Sequence, residues 1–242
     1  MTAVPDKPAI VLLHGSADSP QSWQPVAALL GAQFTVSALP LPPIATPLAL
    51  DTDLPWLTQL MAHTGARVLA GHSYGALLAL RWALDNPGRL DRLVLGEPIA
   101  WGIASDVAGF ATQMDALLTQ CLAQFAAGRA EVAMHWLVDY WNKPGFWQAL
   151  PEKIRVNLTA AAARTAAEVA SGAADRTAAS EVARMAVPTV LVAGAASTRE
   201  SKIVAERLAS AIPGATLLLL EGAGHQFLRS HAGQVAQACT GE

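Results

Sequence analysis

The chain has 242 residues, 52% of them hydrophobic and 14% charged, with a formal net charge of −3. That length and apolar content suit one sizeable core and exclude general disorder; one α/β domain carrying an insertion is the natural expectation. No Lys/Arg stripe is present to follow a phosphate backbone, which excludes nucleic acid as a partner.

The segment from Met1 to Pro8 lacks the long apolar core of a secretory leader, and Ala9–Leu13 falls far short of the about 18 apolar residues that span a bilayer. A cytoplasmic location without a membrane partner is therefore expected. From there, short apolar runs bounded by turn residues alternate with helical patterns, as in a parallel sheet covered on both faces. The first run, Ala9 to Leu13, ends in His14-Gly15, and a helix over roughly Pro20 to Leu30 follows it. Phe34 to Ala38 forms the next strand, leading into a Pro-rich loop through Pro47. Asp53-Leu54-Pro55-Trp56 has the pattern of an N-cap with proline in the first turn, opening a helix to about His63. The third run, Arg67 to Gly71, passes into Ser73 and a helix ending near Asp85, where Asn86-Pro87-Gly88 stops it. Leu93 to Gly96, Pro188 to Ala193 and Thr216 to Leu220 complete about six strands. Joined by right-handed helical crossovers, they make a doubly wound, mostly parallel α/β sheet.

Residues 98–186 interrupt this rhythm. They hold no convincing strand, and their Ala-rich stretches carry Trp101, Trp136, Trp141, Phe146 and Trp147. Their length between the fourth and fifth strands favours an all-helical cap over the sheet's C-terminal edge, inserted in a core of residues 1–97 and 187–242. The competing reading is an ordinary pair of surface helices whose aromatics fill their own core. Cys121 and Cys239 match no metal or redox spacing and are expected to stay reduced. No cofactor or metal is expected.

Chemistry concentrates at Gly71-His72-Ser73-Tyr74-Gly75, a G-x-S-x-G pentapeptide between a strand and a helix. A strand turning sharply into a helix strains its corner residue and crowds it with chain on both sides. Glycine two before and two after removes the colliding β-carbons, leaving a hydroxyl held clear at a helix N-terminus. Ser73 is the expected nucleophile. A neutral serine needs a base within hydrogen-bond reach. His225, in Gly222-Ala223-Gly224-His225 after the last strand, lies at the same sheet edge and is the candidate, with a surface-loop histidine as the alternative. His63, His135 and His231 lie on helices, and His72 inside the elbow is expected to point into the structure.

His14-Gly15 after the first strand, the Gly71–Gly75 elbow, and Gly224-His225 after the last strand resemble, in that order, the α/β-hydrolase superfamily. The resemblance covers about 150 residues of core. It implies that the residue after His-Gly and the residue after the nucleophile, here Ser16 and Tyr74, donate backbone N–H groups to an oxyanion hole, each donor worth roughly 3–4 kcal/mol. It makes His14 structural. Most relatives place the triad acid after the penultimate strand, but the stretch from Val192 to Glu200 has no Asp, and Glu200 is its only carboxylate. The family's other position follows the strand after the elbow helix, where Glu97 stands in Leu95-Gly96-Glu97-Pro98. A carboxylate at that mouth needs a partner, and a histidine that becomes cationic during reaction is a suitable one. Glu97 is the expected acid, with Glu200 the alternative.

No Arg/Lys cluster falls beside these motifs, and Trp101, Trp136, Trp141 and Phe146 are candidates to line an apolar pocket unless they fill the cap's own core. The resemblance therefore implies hydrolysis of a small hydrophobic ester or lactone by a monomer or homodimer. Carbon–carbon bond cleavage of a diketone, acyl transfer, and a non-catalytic ligand-binding role stand as the other readings.

Overall fold

The computed structural model describes residues 7–241. The segment through Asp6, on which the expectation of no secretory leader partly rests, lies outside them. Six strands, β1 (Ala9–Leu13), β2 (Thr35–Ala38), β3 (Val68–His72), β4 (Arg92–Gly96), β5 (Thr189–Gly194) and β6 (Thr216–Leu220), form one sheet in the order β2-β1-β3-β4-β5-β6. Every neighbouring pair is parallel. The inner strands are near-continuous apolar runs because both faces are covered. Alternation along them splits the core in two. Val11, Leu13, Leu69 and Leu95 pack on one face with the helices α2 (Ala49–Thr64), α3 (Tyr74–Asp85) and α10 (Arg199–Ala211). Ile10, Leu12, Val68, Ala70 and Val94 face α1 (Gln24–Leu30), α11 (Phe227–Ser230) and α12 (Ala232–Thr240).

The chain moves outward from β1 to β2, then returns to place β3 on the other side of β1. Loops leaving β1 and β3 therefore part in opposite directions, opening a crevice at the carboxyl ends of the strands, where open α/β sheets hold their ligands. Leu13 pairs with Gly71 and His72 with Gly96. The loops that begin at His14, Ser73 and Glu97 thus emerge side by side.

Between β4 and β5 the described chain holds no strand. A 3-10 turn at Trp101–Ala104 precedes α4 (Phe110–Ala126), α5 (Ala130–Trp141), α6 (Phe146–Ala149), α7 (Glu152–Ala160), α8 (Ala162–Ala174) and α9 (Ala179–Val182). The Ala-rich α8 packs against α2 and α3 of the core and against α4 and α5. Its small side chains permit close approach: a β-carbon at Gly172 would lie 2.9 Å from both Ile99 and Trp101. Among the described residues no helix is long and apolar enough to cross a membrane.

Two local expectations need correction. The segment from Pro20 begins as a 3-10 turn, Pro20–Trp23, before α1. More consequentially, Asp53 is not an N-cap. The helix α2 starts at Ala49, and Pro55 lies inside it. Leu48 offers no capping side chain; the first-turn N–H of Leu50 is instead capped by the hydroxyl of Ser171 on α8, at 3.3 Å. This cap comes from 121 residues away in the chain, so no local pattern announces it. Asp53 turns inward, fully buried, to accept a hydrogen bond from the Tyr74 hydroxyl at 2.7 Å.

Candidate active site

The elbow has the geometry its glycines imply. Ser73 sits at φ 55°, ψ −117°, between β3 and the first residue of α3. A β-carbon at Gly71 would stand 2.2 Å from the Gly75 carbonyl oxygen, and one at Gly75 would stand 2.4 Å from that of Leu13. No side chain fits at either position. The Ser73 N–H donates to the Gly96 carbonyl at 2.8 Å, tying the corner to β4. Among the described residues the three non-glycine positions with positive φ are Ala17, Ser73 and Glu97, at 55°, 55° and 42°. All three lie in the loops leaving β1, β3 and β4, so the backbone strain of the chain is gathered at one sheet edge, each instance costing about 1–3 kcal/mol.

Glu97 reaches across the ends of β4 and β5. Its Oε2 lies 2.5 Å from Nδ1 of His225. Its Oε1 accepts from the Gly194 N–H at 2.8 Å and from the Ser197 hydroxyl at 2.5 Å. Burial alone would raise this carboxyl, but the His225 contact, Ser197 and Gly194 together outweigh it and hold the group at about 2. A carboxylate facing Nδ1 places the ring proton there, which leaves Nε2 of His225 as a free base. Glu200, the alternative acid, is buried elsewhere: its Oε2 accepts from the Tyr140 hydroxyl of α5 at 3.1 Å.

Two other histidines, His72 and His14, brace the loops around this pair. His72 Nε2 donates to the carbonyl of His225 at 2.9 Å, and the two rings lie 4.7 Å apart. Burial, reinforced by the neighbouring His225, lowers His72 to about 3, so it stays neutral and acts as a prop for the loop. His14 bonds the Gly15 carbonyl through Nδ1 at 2.9 Å and accepts from the Leu41 N–H through Nε2 at 3.3 Å. It thereby fastens the loop after β1 to the Pro-rich loop after β2. Gly15 in turn abuts Ser73, since a β-carbon there would lie 3.0 Å from that of Ser73.

Of the four aromatics expected near the site, Trp141 stacks on the His225 ring, with centroids 4.9 Å apart and planes 19° from parallel. Trp136 stacks on Tyr140 and is 36% exposed. Trp101 is buried against Gly172, and Phe146 is half-buried at the start of α6. Sequence reasoning passed over Ser197, although it lies in the very turn searched for an acid. It also passed over the ion-paired cluster of Asp53, Arg164 and Glu168. The signal for the latter was present: Arg164 and Glu168 are the two charged residues of α8, spaced i, i+4. Among the described residues no group of three or more His, Cys, Asp or Glu side chains is gathered to hold a metal.

Comparison with known proteins agrees with this architecture. The sequence profile of the alpha/beta hydrolase family matches residues 10–238. An alpha/beta hydrolase from Sphaerobacter thermophilus DSM 20745 is similar over 96% of this chain and 93% of its own, at 23% identity and a TM-score of 0.69. The 2-hydroxy-6-oxo-6-phenylhexa-2,4-dienoate hydrolase of Rhodococcus sp. strain RHA1 is similar over 98% of this chain and 91% of its own, at 17% identity and a TM-score of 0.72. An esterase from Exiguobacterium antarcticum covers the same shares, at 16% identity and a TM-score of 0.72. At such identities the likeness is one of fold.

Proposed function

Because this chain belongs to the alpha/beta hydrolase family, we propose that it is a serine hydrolase that cleaves a small hydrophobic ester or lactone through an acyl-enzyme on Ser73. The observation that carries this reading is the Glu97–His225 pair at 2.5 Å, its carboxylate locked by two further donors, on the residue that follows Gly96, whose carbonyl holds the N–H of the strained serine. Ser73 attacks the carbonyl while Nε2 of His225 takes its proton. Glu97 holds the ring in the required tautomer and stabilises the imidazolium. The stacked Trp141 offers the face of its indole to that cation, a contact worth about 0.5–2 kcal/mol. Backbone N–H groups of Ser16 and Tyr74 receive the oxyanion. His225 then protonates the leaving alcohol and activates water to release the acid.

We read residues 98–186 as a cap on a core of residues 1–97 and 187–242. Three ties from its helices support this: Trp141 on His225, Tyr140 on Glu200, and Arg164 on Asp53. Trp141 is the cap aromatic we assign to the substrate pocket. A second reading, hydrolysis of a carbon–carbon bond, draws on the similarity to the Rhodococcus hydrolase. Fluorophosphonate labelling together with a panel of p-nitrophenyl esters tests both. Labelling lost in Ser73→Ala, with turnover of short and medium chains, supports the esterase. Labelling without ester turnover supports the second reading. An unlabelled, folded wild-type protein refutes serine catalysis.

A further inference from the structure

A buried charge cluster outside the Ser73–Glu97–His225 constellation holds the side chain of Tyr74 and lies beside Ser16, the two residues read as oxyanion donors. Arg164 and Glu168 lie one turn apart on α8, with Arg164 Nε 2.8 Å from Glu168 Oε1. The Arg164 guanidinium reaches Asp53 Oδ2 at 2.5 Å and also donates to the carbonyl of Pro42. Asp53 Oδ2 accepts from the Tyr74 hydroxyl as well, at 2.7 Å. The Glu168 carboxyl lies beside the Ser16 side chain, close enough for that side chain to act on it, and its buried Oε2 has no hydrogen-bond partner among the described residues. The carboxylates of Asp53 and Glu168 are 0% and 1% exposed.

Packing does not require such a cluster. Two buried carboxylates against one guanidinium cost more desolvation than apolar side chains of equal volume. What the arrangement supplies is aim. Ser16 precedes Ala17, whose φ of 55° makes the loop conformation unfavourable unless something pins it. Tyr74 opens α3, and its side chain is the lever by which the residue after the nucleophile can be held. We propose that Glu168 and Arg164 are positioning residues that hold the oxyanion donors, Ser16 directly by its hydroxyl and Tyr74 through Asp53. The inference rests on the serine-hydrolase reading above and deepens it: the helical segment does not only cover the site but sets the direction of its two N–H groups.

The electrostatics are compatible with that task. Burial outweighs Arg164 and Ser16 and pushes the Glu168 carboxyl up to about 7. With Glu168 protonated, Asp53 and Arg164 balance, and the cluster is neutral beside the place where a negative oxygen develops. The groups facing it are Asp53, Arg164, Tyr74 and Ser16, with His14 close enough to Arg164 and Asp53 to feel both.

The test compares Glu168→Ala, Glu168→Gln and Ser16→Ala, each normalised to the fraction of serine titrated by fluorophosphonate. The readouts are kcat and KM on a p-nitrophenyl ester and Ki for a trifluoromethyl ketone, whose bound adduct carries an oxyanion. Misaimed donors predict that Glu168→Ala loses about ten- to a hundredfold in kcat, with Ki rising in parallel and KM within about threefold. Glu168→Gln, which still offers Ser16 an oxygen, recovers most of the loss. Ser16→Ala keeps its backbone N–H but loses the anchor, and shares the phenotype of Glu168→Ala; being a half-buried loop position, it reports even if Glu168→Ala does not fold. Unchanged kcat and Ki in Ser16→Ala, or a lowered Tm with unchanged kcat per titrated serine in Glu168→Ala, overturns the proposal. A wild-type protein that the probe does not label refutes instead the underlying serine-hydrolase reading.

Discussion

Glu97→Gln preserves the shape of a side chain whose charge and acceptor capacity are both in use. Gly194 N–H can only donate, and with the Ser197 hydroxyl it keeps an oxygen on the Oε1 side, at 2.8 and 2.5 Å. The amide nitrogen of glutamine is therefore directed at Nδ1 of His225, where Oε2 now stands 2.5 Å away. Two donors cannot face each other, so the imidazole moves its proton to Nε2 and forfeits the lone pair needed to deprotonate Ser73. A wrong tautomer with intact geometry lowers kcat by about 10⁴, or about 5 kcal/mol of transition-state stabilisation. The assay is steady-state turnover of whichever p-nitrophenyl ester the wild type hydrolyses best, with circular dichroism to establish the fold. Glu200→Gln is the matched control: its Oε2 accepts from the Tyr140 hydroxyl at 3.1 Å, a bond that a glutamine oxygen also accepts. Its kcat is expected within about threefold of wild type, as one neutral-for-charged hydrogen bond remote from the base allows. Retention of kcat within about tenfold in a folded Glu97→Gln, or the larger loss in Glu200→Gln, refutes the assignment of the acid.

Acid stability follows from the same carboxylate. Glu97 is held at about 2 against an ordinary 4.5, so it contributes stability above pH 4.5 that is lost as the pH falls towards 2, a contribution of the order of 3 kcal/mol. Urea unfolding across that interval is expected to fall more steeply with pH for wild type than for Glu97→Gln; parallel slopes contradict it. At the elbow, Gly71→Ala drives a β-carbon to 2.2 Å from the Gly75 carbonyl oxygen, backbone that cannot step aside. It is expected to cost at least about 3 kcal/mol and to abolish soluble expression. Gly224→Ala, which meets nothing within 4 Å, is expected within about 0.5 kcal/mol of wild type by thermal melting. A stable Gly71→Ala protein contradicts the steric account of the pentapeptide.

What could be read in the sequence was what is encoded locally. Apolar runs bounded by turns gave the strands, because a strand buried on both faces has no polar alternation to obscure it. The elbow was legible because its two glycines answer collisions with backbone only four residues apart or in the adjacent strand. The start of α2 was not legible. Asp53 followed by Leu54-Pro55 carries a local N-cap pattern, but a side chain from α8 supplies the real cap and a partner from α8 claims the carboxylate. Arg164 and Glu168 stand i, i+4 on an Ala-rich helix, a spacing that fits a solvated face as well as a buried one. Only the packing of α8 against α2 and α3 turns that pair inward, and packing of elements so far apart in the chain has no local signature. The glycines before His225 show the same limit in reverse. Gly222 and Gly224 look alike in the sequence, yet Gly224 is uncrowded, and it is Gly222, at φ 74°, whose backbone needs glycine.

The placement of Glu97 has a reason that the sheet itself supplies. Gly96 of β4 pairs with Val192 of β5, so the residues following either strand emerge together at the crevice. A carboxylate can reach the His225 loop from either one. Glu97 does so by adopting a φ of 42° and donating its N–H to the Val192 carbonyl at 2.9 Å, which tips its side chain from its own strand across the end of the next. The turn after β5 turns no carboxylate to the imidazole and instead supplies partners for Glu97: the Gly194 N–H and the Ser197 hydroxyl occupy the side of the carboxylate away from the imidazole. Pairing His225 from this turn instead would need more than a carboxylate there. Gly194 is closed in by the Ala223 carbonyl oxygen at 2.4 Å from any β-carbon, and Glu97 would remain, unpaired and buried, unless it too were replaced. The two positions are thus alternatives that exclude each other, since two carboxylates at one imidazole would leave one charge without a partner in a dry site.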